Sequence, residues 1–217
     1  MSFVAVDHLI VAAATLAEGE AWCRATLGVA PAGGGRHPQC GTHNRVLKIA
    51  GAAFAQTYLE IIAIDPEAAA PGRARWFGLD HLEWSRGPRL IHWVGRSPML
   101  DMHRWGLITV GLAPGDPVAA SRETPQGLLQ WQILVPADGG LLCGGALPTL
   151  IQWQGAHPTE HLPDSGVSLQ SITINRVPAR ARDVLRLRGV TAVDDDGPAL
   201  RATLSTPHGD VTLTSEP

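Results

Sequence analysis

Asp7-His8-Leu9-Ile10-Val11 decides the fold, because the chain states this pattern three times. The segment is an apolar strand carrying one histidine, and it runs into a helix that ends at Leu27-Gly28-Val29. Leu90-Ile91-His92-Trp93-Val94 repeats the pattern ahead of Trp105-Gly106-Leu107. Leu169-Gln170-Ser171-Ile172-Thr173-Ile174 does so again ahead of Arg188-Gly189-Val190. The three glycines stand 78 and then 83 residues apart, so each period holds one small strand-helix-sheet unit. In every copy the polar strand residue precedes a helix-opening residue by eight positions: His8 and Leu16, His92 and Leu100, Gln170 and Pro178. Duplicated units set equivalent side chains opposite each other, and two imidazoles can then serve one site.

Working outward, Thr15-Leu16-Ala17-Glu18 is a capping box, in which hydroxyl and carboxylate each satisfy an orphan N–H. Leu16, Ala21, Trp22, Ala25 and Leu27 recur at roughly helical spacing, and Gly28 suits a left-handed terminator. Pro31 to Gly35 reads as a turn, and Asn44–Ala50 and Ala53–Ile64 as strands. Residues 1–65 are thus a βαβββ module. Residues 66–89 form a long connector in which Trp76, Phe77, Leu79 and Leu82 point to a short packed helix, as in a lid or site wall. The second module covers 90–158: Ser97-Pro98 supplies an N-cap with proline at the first helical position, and Leu147–Gln154 is the last strand. Residues 159–217 read as a partial third module, with a helix at 178–188 and a hairpin turning at Pro207-His208-Gly209. The class is α+β, in one compact domain whose paired modules build a curled mixed sheet, a half-barrel.

The 217 residues suffice for a substantial core, and 45% of them are apolar. No apolar run reaches the ~18 residues a membrane span needs, so no membrane partner is expected. Met1-Ser2-Phe3-Val4 leads almost directly into strand, without the regions of a secretion signal. Cys23, Cys40 and Cys143 are an odd, widely spaced set, which fits no disulfide framework and points to a reduced cytoplasm. Of the 17 basic residues 16 are arginine, scattered rather than banked, and no nucleic-acid partner is expected. Gly33-Gly34-Gly35 lacks the strand-to-helix spacing of a phosphate loop, so no nucleotide cofactor is expected. Asp194-Asp195-Asp196-Gly197 is a turn, too short for a calcium loop. Arg73, Arg75, Arg86 and Arg89 belong to a solvated surface or meet an anionic substrate.

Aligning Thr57-Tyr58-Leu59-Glu60-Ile61-Ile62 with Thr149-Leu150-Ile151-Gln152-Trp153 sets Glu60 opposite Gln152. Both are single polar residues in apolar last strands. A carboxylate among Leu59, Ile61 and Ile62 needs a partner or a cation. Arg45 or Arg36 is one candidate partner. A metal is the other: His8, Glu60, His92 and Gln152 are an N, O, N, O set suited to Fe(II), Mn(II), Ni(II) or Zn(II). Against this stand simpler roles, with His8 and His92 bonding neighbouring strands and Gln152 lining the cleft as a hydrogen-bonder. His37 and His43 flank Cys40, but three donors in one Gly/Pro loop fall short of a four-ligand structural zinc site. His37, His43 and Asn44 are expected to project polar groups over the cleft mouth, or else to hold their own loop together.

Four segments together resemble the vicinal oxygen chelate superfamily, and within it the glyoxalase-like domain group. They are Asp7–Val11, Gly35-Arg36-His37-Pro38 with Gly41-Thr42-His43-Asn44, Tyr58–Asp65, and His157-Pro158 after a last strand. The resemblance covers nearly the whole chain. It implies paired βαβββ modules around a cleft, with metal ligands drawn from the first and last strands of both. Those ligands would be His8, Glu60, His92 and Gln152, where glutamine stands in place of the more usual glutamate. It further implies a divalent metal, a small-molecule ligand and room for a homodimer. The activity implied is that of a metal-dependent isomerase, lyase or dioxygenase acting on a small oxygenated molecule, with Glu60 as ligand and base. The rival it implies is a metal-free binding protein that sequesters a ligand, as bleomycin-resistance relatives do.

Overall fold

The computed structural model describes residues 3–215. The first module runs β1 (Ala5–Ala12), α1 (Leu16–Leu27), β2 (Gly33–His37), β3 (Thr42–Lys48) and β4 (Tyr58–Ile64). The second repeats that order as β5 (Arg89–Arg96), α2 (Leu100–Thr109), β6 (Asp116–Thr124), β7 (Gly127–Val135) and β8 (Thr149–Gln154). In each module the first strand pairs in parallel with the last. β1 and β5 then join antiparallel, giving one eight-stranded sheet in the order β2-β3-β4-β1-β5-β8-β7-β6. The sheet curls until it is nearly closed, the half-barrel expected of two fused modules.

Residues 168–214 hold the same sequence of elements in shorter form: β9 (Ser168–Asn175), α3 (Ala179–Leu185), β10 (Val190–Val193), β11 (Leu200–Thr206) and β12 (Gly209–Thr214). Their pairing differs. β9 runs parallel to β10 and antiparallel to β11, so the order of this second sheet is β10-β9-β11-β12. Backbone bonds stitch it to the first module, from Val4 N–H to Leu185 O and from Leu169 N–H to Ile49 O. The main core, containing Leu9, Val11, Leu27, Leu59, Trp93, Leu150, Ile172 and Leu185, lies between the outer face of the half-barrel and the helices and third unit. A separate cluster with Ile10, Ile62, Val94, Ile133 and Ile151 fills the inside of the curl. Alternation along each strand explains the split: Ile10 points in, Leu9 and Val11 point out.

α1 starts and stops as its sequence requires. The Thr15 hydroxyl accepts from Glu18 N–H at 3.1 Å, and Gly28 closes the helix at φ 75°. The other two glycines of the repeat behave differently. Gly106 lies inside α2, where a Cβ would sit 2.6 Å from Val184 Cγ1, so its smallness lets α3 pack closely. α3 ends at Leu185, with Arg186 taking the left-handed conformation at φ 48°. α2 also begins two residues after the expected Pro98, because the Ser97 hydroxyl accepts from Met99 N–H and pairs with His103 Nδ1 instead of capping. The expected turn at 31–35 is partly strand, since Gly33–His37 is the edge strand β2. Gly34, at φ 151°, allows this: a Cβ there would lie 2.1 Å from the Asn44 carbonyl oxygen.

Candidate functional site

The inward faces of the two modules enclose a cleft of ≈ 820 Å³, its open mouth included. His8, Asn44, Tyr58 and Glu60 form its polar floor, while Trp131 and Trp153 line the opposite wall. Trp76 and Phe77 reach into it from the connector. Phe77 adopts φ 62°, a left-handed conformation that costs a non-glycine residue about 1 kcal/mol and is retained where it places a side chain. Gly78 N–H bonds Gly139 O at 2.8 Å and ties that segment to the second module.

A chain of buried hydrogen bonds crosses the floor. Asn44 Nδ2 donates to Glu60 Oε1 at 2.6 Å, and His8 Nε2 lies 3.4 Å from Glu60 Oε2. His8 Nδ1 meets Asp7 Oδ1 at 2.7 Å. Asp7 Oδ2 accepts from Trp153 Nε1 at 3.0 Å and faces His157 Nε2 at 3.1 Å and Arg96 at 3.4 Å. Neighbouring strand residues normally point to opposite faces. Asp7 and His8 touch because the β1–β5 register shifts between Val6 and His8, a bulge that re-aims the carboxylate.

Electrostatics follow from this chain. Burial would push the His8 imidazolium down, but hydrogen bonds and charge from Asp7 and Glu60 outweigh it and raise the group to about 9. Burial would raise Glu60, yet its bonds to His8 and Asn44 bring it down to about 2. Asp7 is likewise held below the usual carboxylate range despite burial, by His157 and His8. At neutral pH the floor is therefore an imidazolium between two carboxylates. His37, also in the cleft, is kept neutral by burial, with Nδ1 3.2 Å from the Thr42 hydroxyl.

Of the expected site residues, the structure brings His8, Glu60, His37 and Asn44 to one cleft and leaves three elsewhere. His92 is spent within the protein. Its Nδ1 bonds Gly145 O at 3.0 Å, and its Nε2 accepts from Thr149 N–H at 3.1 Å. Burial depresses it to about 3, so it is neutral. Gln152 points to the helix side of β8, where its Oε1 accepts from Leu100 N–H at 2.8 Å and caps α2. The β1–β4 and β5–β8 registers place Thr149 at the position equivalent to Glu60. The alignment that pairs Glu60 with Gln152 is therefore displaced by three residues. His43 alternates to the outside of β3, 3.9 Å from Asp65. Arg45 and Arg36 do not pair with Glu60 either, because they bond Glu20 and Glu67.

A metal held by protein side chains needs three or four donors. Among the described residues no group of three His, Cys, Asp or Glu is placed to hold one. With His92 and Gln152 committed elsewhere, His8 Nε2 and the Glu60 carboxylate remain, and two donors do not fit such a site.

Arg122 escaped the sequence reading. It stands on β6 at the far edge of the sheet, in a strand that reads as exposed, yet its NH1 reaches Asn44 Oδ1 at 3.2 Å. It spans the seam where the two edges of the sheet approach, against Gly35 of β2, whose missing Cβ would lie 2.7 Å from Arg122 Cδ. Asp7 was missed for another reason, since only the bulge turns it toward His8. The nearest signal was the Asp7-His8 pairing of types itself.

No curated protein matches the sequence. Among solved structures, a hypothetical protein from Staphylococcus aureus is similar over 99% of this chain and 86% of its own, at 14% identity and a TM-score of 0.58. Methylmalonyl-CoA epimerase from Mycobacterium tuberculosis is similar over 71% of this chain and 90% of its own, at 18% identity and a TM-score of 0.41. A variant of the Streptomyces coelicolor methylmalonyl-CoA epimerase, in complex with 2-nitronate-propionyl-CoA, aligns with 72% of this chain and 100% of its own, at 16% identity and a TM-score of 0.44. The family described as glyoxalase-like domain matches residues 6–190, most of the chain and both modules. The chain belongs to the glyoxalase-like domain family.

Proposed function

We propose that this protein is an enzyme that moves a proton on a small oxygenated molecule bound in the inter-module cleft. The observation that carries the reading is Glu60, an ionised carboxylate on the cleft floor backed by His8 and Asp7. A carboxylate within reach of a substrate C–H takes its proton, and Glu60 does so once substrate displaces the Asn44 bond that helps hold it low. In the forward step the C–H bond breaks and its proton passes to a Glu60 oxygen. The electron pair stays on the substrate as an enolate, whose charge the cationic Arg122 and the His8 imidazolium favour. Return of the proton to the same or a neighbouring carbon completes an isomerisation or epimerisation. Asp7 holds the His8 ring with Nε2 toward Glu60, the orienting role a buried carboxylate has beside a catalytic imidazole.

The metal-dependent form of this reading requires donors beyond His8 and Glu60. A second reading, a binding protein without turnover, is favoured by one observation: both Glu60 oxygens are already engaged, by Asn44 and by His8.

Solvent exchange separates the two. The protein is incubated in D2O with 2-oxo acids and hydroxyketones, and loss of the carbon-bound proton is followed by NMR. The enzyme reading expects exchange of at least one compound by the wild type and none by Glu60→Gln. If compounds bind and none exchanges, the binding-protein reading replaces it.

A further inference from the structure

The ligand chemistry is written in the hydrogen-bond balance of the cleft. Among the described residues four buried side-chain atoms lack a partner: His43 Nε2, Trp76 Nε1, His103 Nε2 and Arg122 Nε. The first and third belong to residues away from the cleft. The other two belong to residues that line it. Both are N–H donors and neither can accept. They arrive on separate elements, Trp76 on the connector and Arg122 on β6, so no local turn explains them both. Trp76 is 9% exposed, and a buried donor left bare is uncommon enough in folded proteins to ask for a reason.

The acceptors nearby are already taken. Glu60 Oε1 receives Asn44, Glu60 Oε2 faces His8, and Asn44 Oδ1 receives both Gly35 N–H at 2.8 Å and Arg122 NH1. An incoming molecule must therefore bring its own acceptor oxygens. It must also answer the Arg122 charge, which has no carboxylate partner among the described residues. The remaining wall is apolar, made by Phe77, Trp131, Trp153, Ile62, Ile133 and Ile151.

We propose that the cleft selects an organic anion with an apolar body, a carboxylate or acidic enol, whose oxygens are bound by Arg122 and Trp76. This deepens the reading of the cleft as a ligand site and names the class of molecule it takes. Arg122 is then a specificity residue, contributed by the second module to a floor built by the first.

The test uses benzoate and its neutral isostere benzamide as probes, with affinity read by calorimetry and by tryptophan fluorescence. Wild-type protein is expected to bind benzoate roughly tenfold more tightly than benzamide, as a charge-assisted bond to a guanidinium implies. Arg122→Gln should bring the two affinities within about twofold by weakening benzoate alone. Trp76→Phe keeps the ring and removes the donor, and should weaken benzoate by a smaller factor. Equal binding of both probes to the wild type, binding of neither, or a preference that survives Arg122→Gln would each overturn the proposal. Failure of the proton-transfer reading looks different: benzoate preference would persist while no compound exchanges in D2O.

Discussion

Thr149 occupies, in the second half of the sheet, the place that Glu60 holds in the first. Ile10 pairs with Glu60 across β1 and β4, and Val94 pairs with Thr149 across β5 and β8. The imidazoles follow suit, with His8 Nε2 3.4 Å from Glu60 Oε2 and His92 Nε2 3.0 Å from the Thr149 hydroxyl. The two halves thus hold one charged pair open to the cleft and one neutral pair away from it. Burial lowers both imidazoles; the bonds and charges of Asp7 and Glu60 outweigh it at His8, and at His92, beside Thr149, it prevails.

Stability should respond to pH through these groups. The folded state raises His8 from 6.5 to about 9, so its contribution is complete below pH 6.5 and lost as pH rises through 9. Glu60 is lowered from 4.5 to about 2, so its contribution is present above 4.5 and lost as pH falls toward 2. His92, lowered to about 3, likewise acts only on the acid side. Melting temperature should therefore fall between pH 7 and 9 in the wild type, and fall less in Glu60→Gln, where one of the two carboxylates supporting His8 is gone. A flat wild-type profile over that window would contradict the ionised chain.

His92 and His8 should separate in mutagenesis. His92→Ala strands Gly145 O and Thr149 N–H, and is expected to cost about 3 kcal/mol in urea unfolding while benzoate affinity is kept. His8→Gln is expected to abolish D2O exchange, since it removes the cation that holds Glu60 in place. Loss of binding in the His92 variant, with a sound fold, would return that residue to the site.

Gln152→Glu tests the displaced alignment. The side chain caps α2 at Leu100, so a carboxylate there should stabilise the protein by about 0.5 kcal/mol through the helix dipole. Thermal unfolding with and without Mn(II), Ni(II) or Zn(II) provides the readout. A metal-dependent gain in this variant would place Gln152 at the cleft and contradict the observed register.

Adjacent glycines should differ sharply. Gly34→Ala drives a Cβ into the Asn44 carbonyl at a positive φ and is expected to destabilise by more than about 2 kcal/mol. Gly35→Ala meets only the Arg122 side chain, Cδ at 2.7 Å and NH1 at 2.9 Å, which can swing aside, so the fold should survive while benzoate affinity falls. Unchanged benzoate binding in a folded Gly35→Ala protein would argue that Arg122 is not held across the seam.

Asn44→Ala and His43→Ala divide the two faces of β3. Asn44 bridges Glu60 and Arg122, and its loss should lower benzoate affinity. His43 faces away from the cleft and its loss should leave affinity within about twofold, as for a change outside the binding site. Titration of both variants with benzoate checks the pair, and equal losses would refute the assignment of faces.

The sequence by itself determined the two-module α+β architecture, because strand alternation and helix capping are local and were stated twice. It also marked His8 and Glu60, since a polar side chain inside an apolar strand must be answered wherever the strand lies, and it marked His37 and Asn44 as polar groups of a Gly/Pro-rich segment. Three matters were decided only by tertiary structure. The offset that sets Thr149 rather than Gln152 opposite Glu60 comes from parallel pairing across long crossovers, and no local signal records which residues meet there. The contact of Asp7 with His8 needs a bulge between β1 and β5, strands far apart in the chain. Arg122 enters the site because the sheet curls until its edges approach, and curvature belongs to the packed sheet and not to the strand that carries the residue.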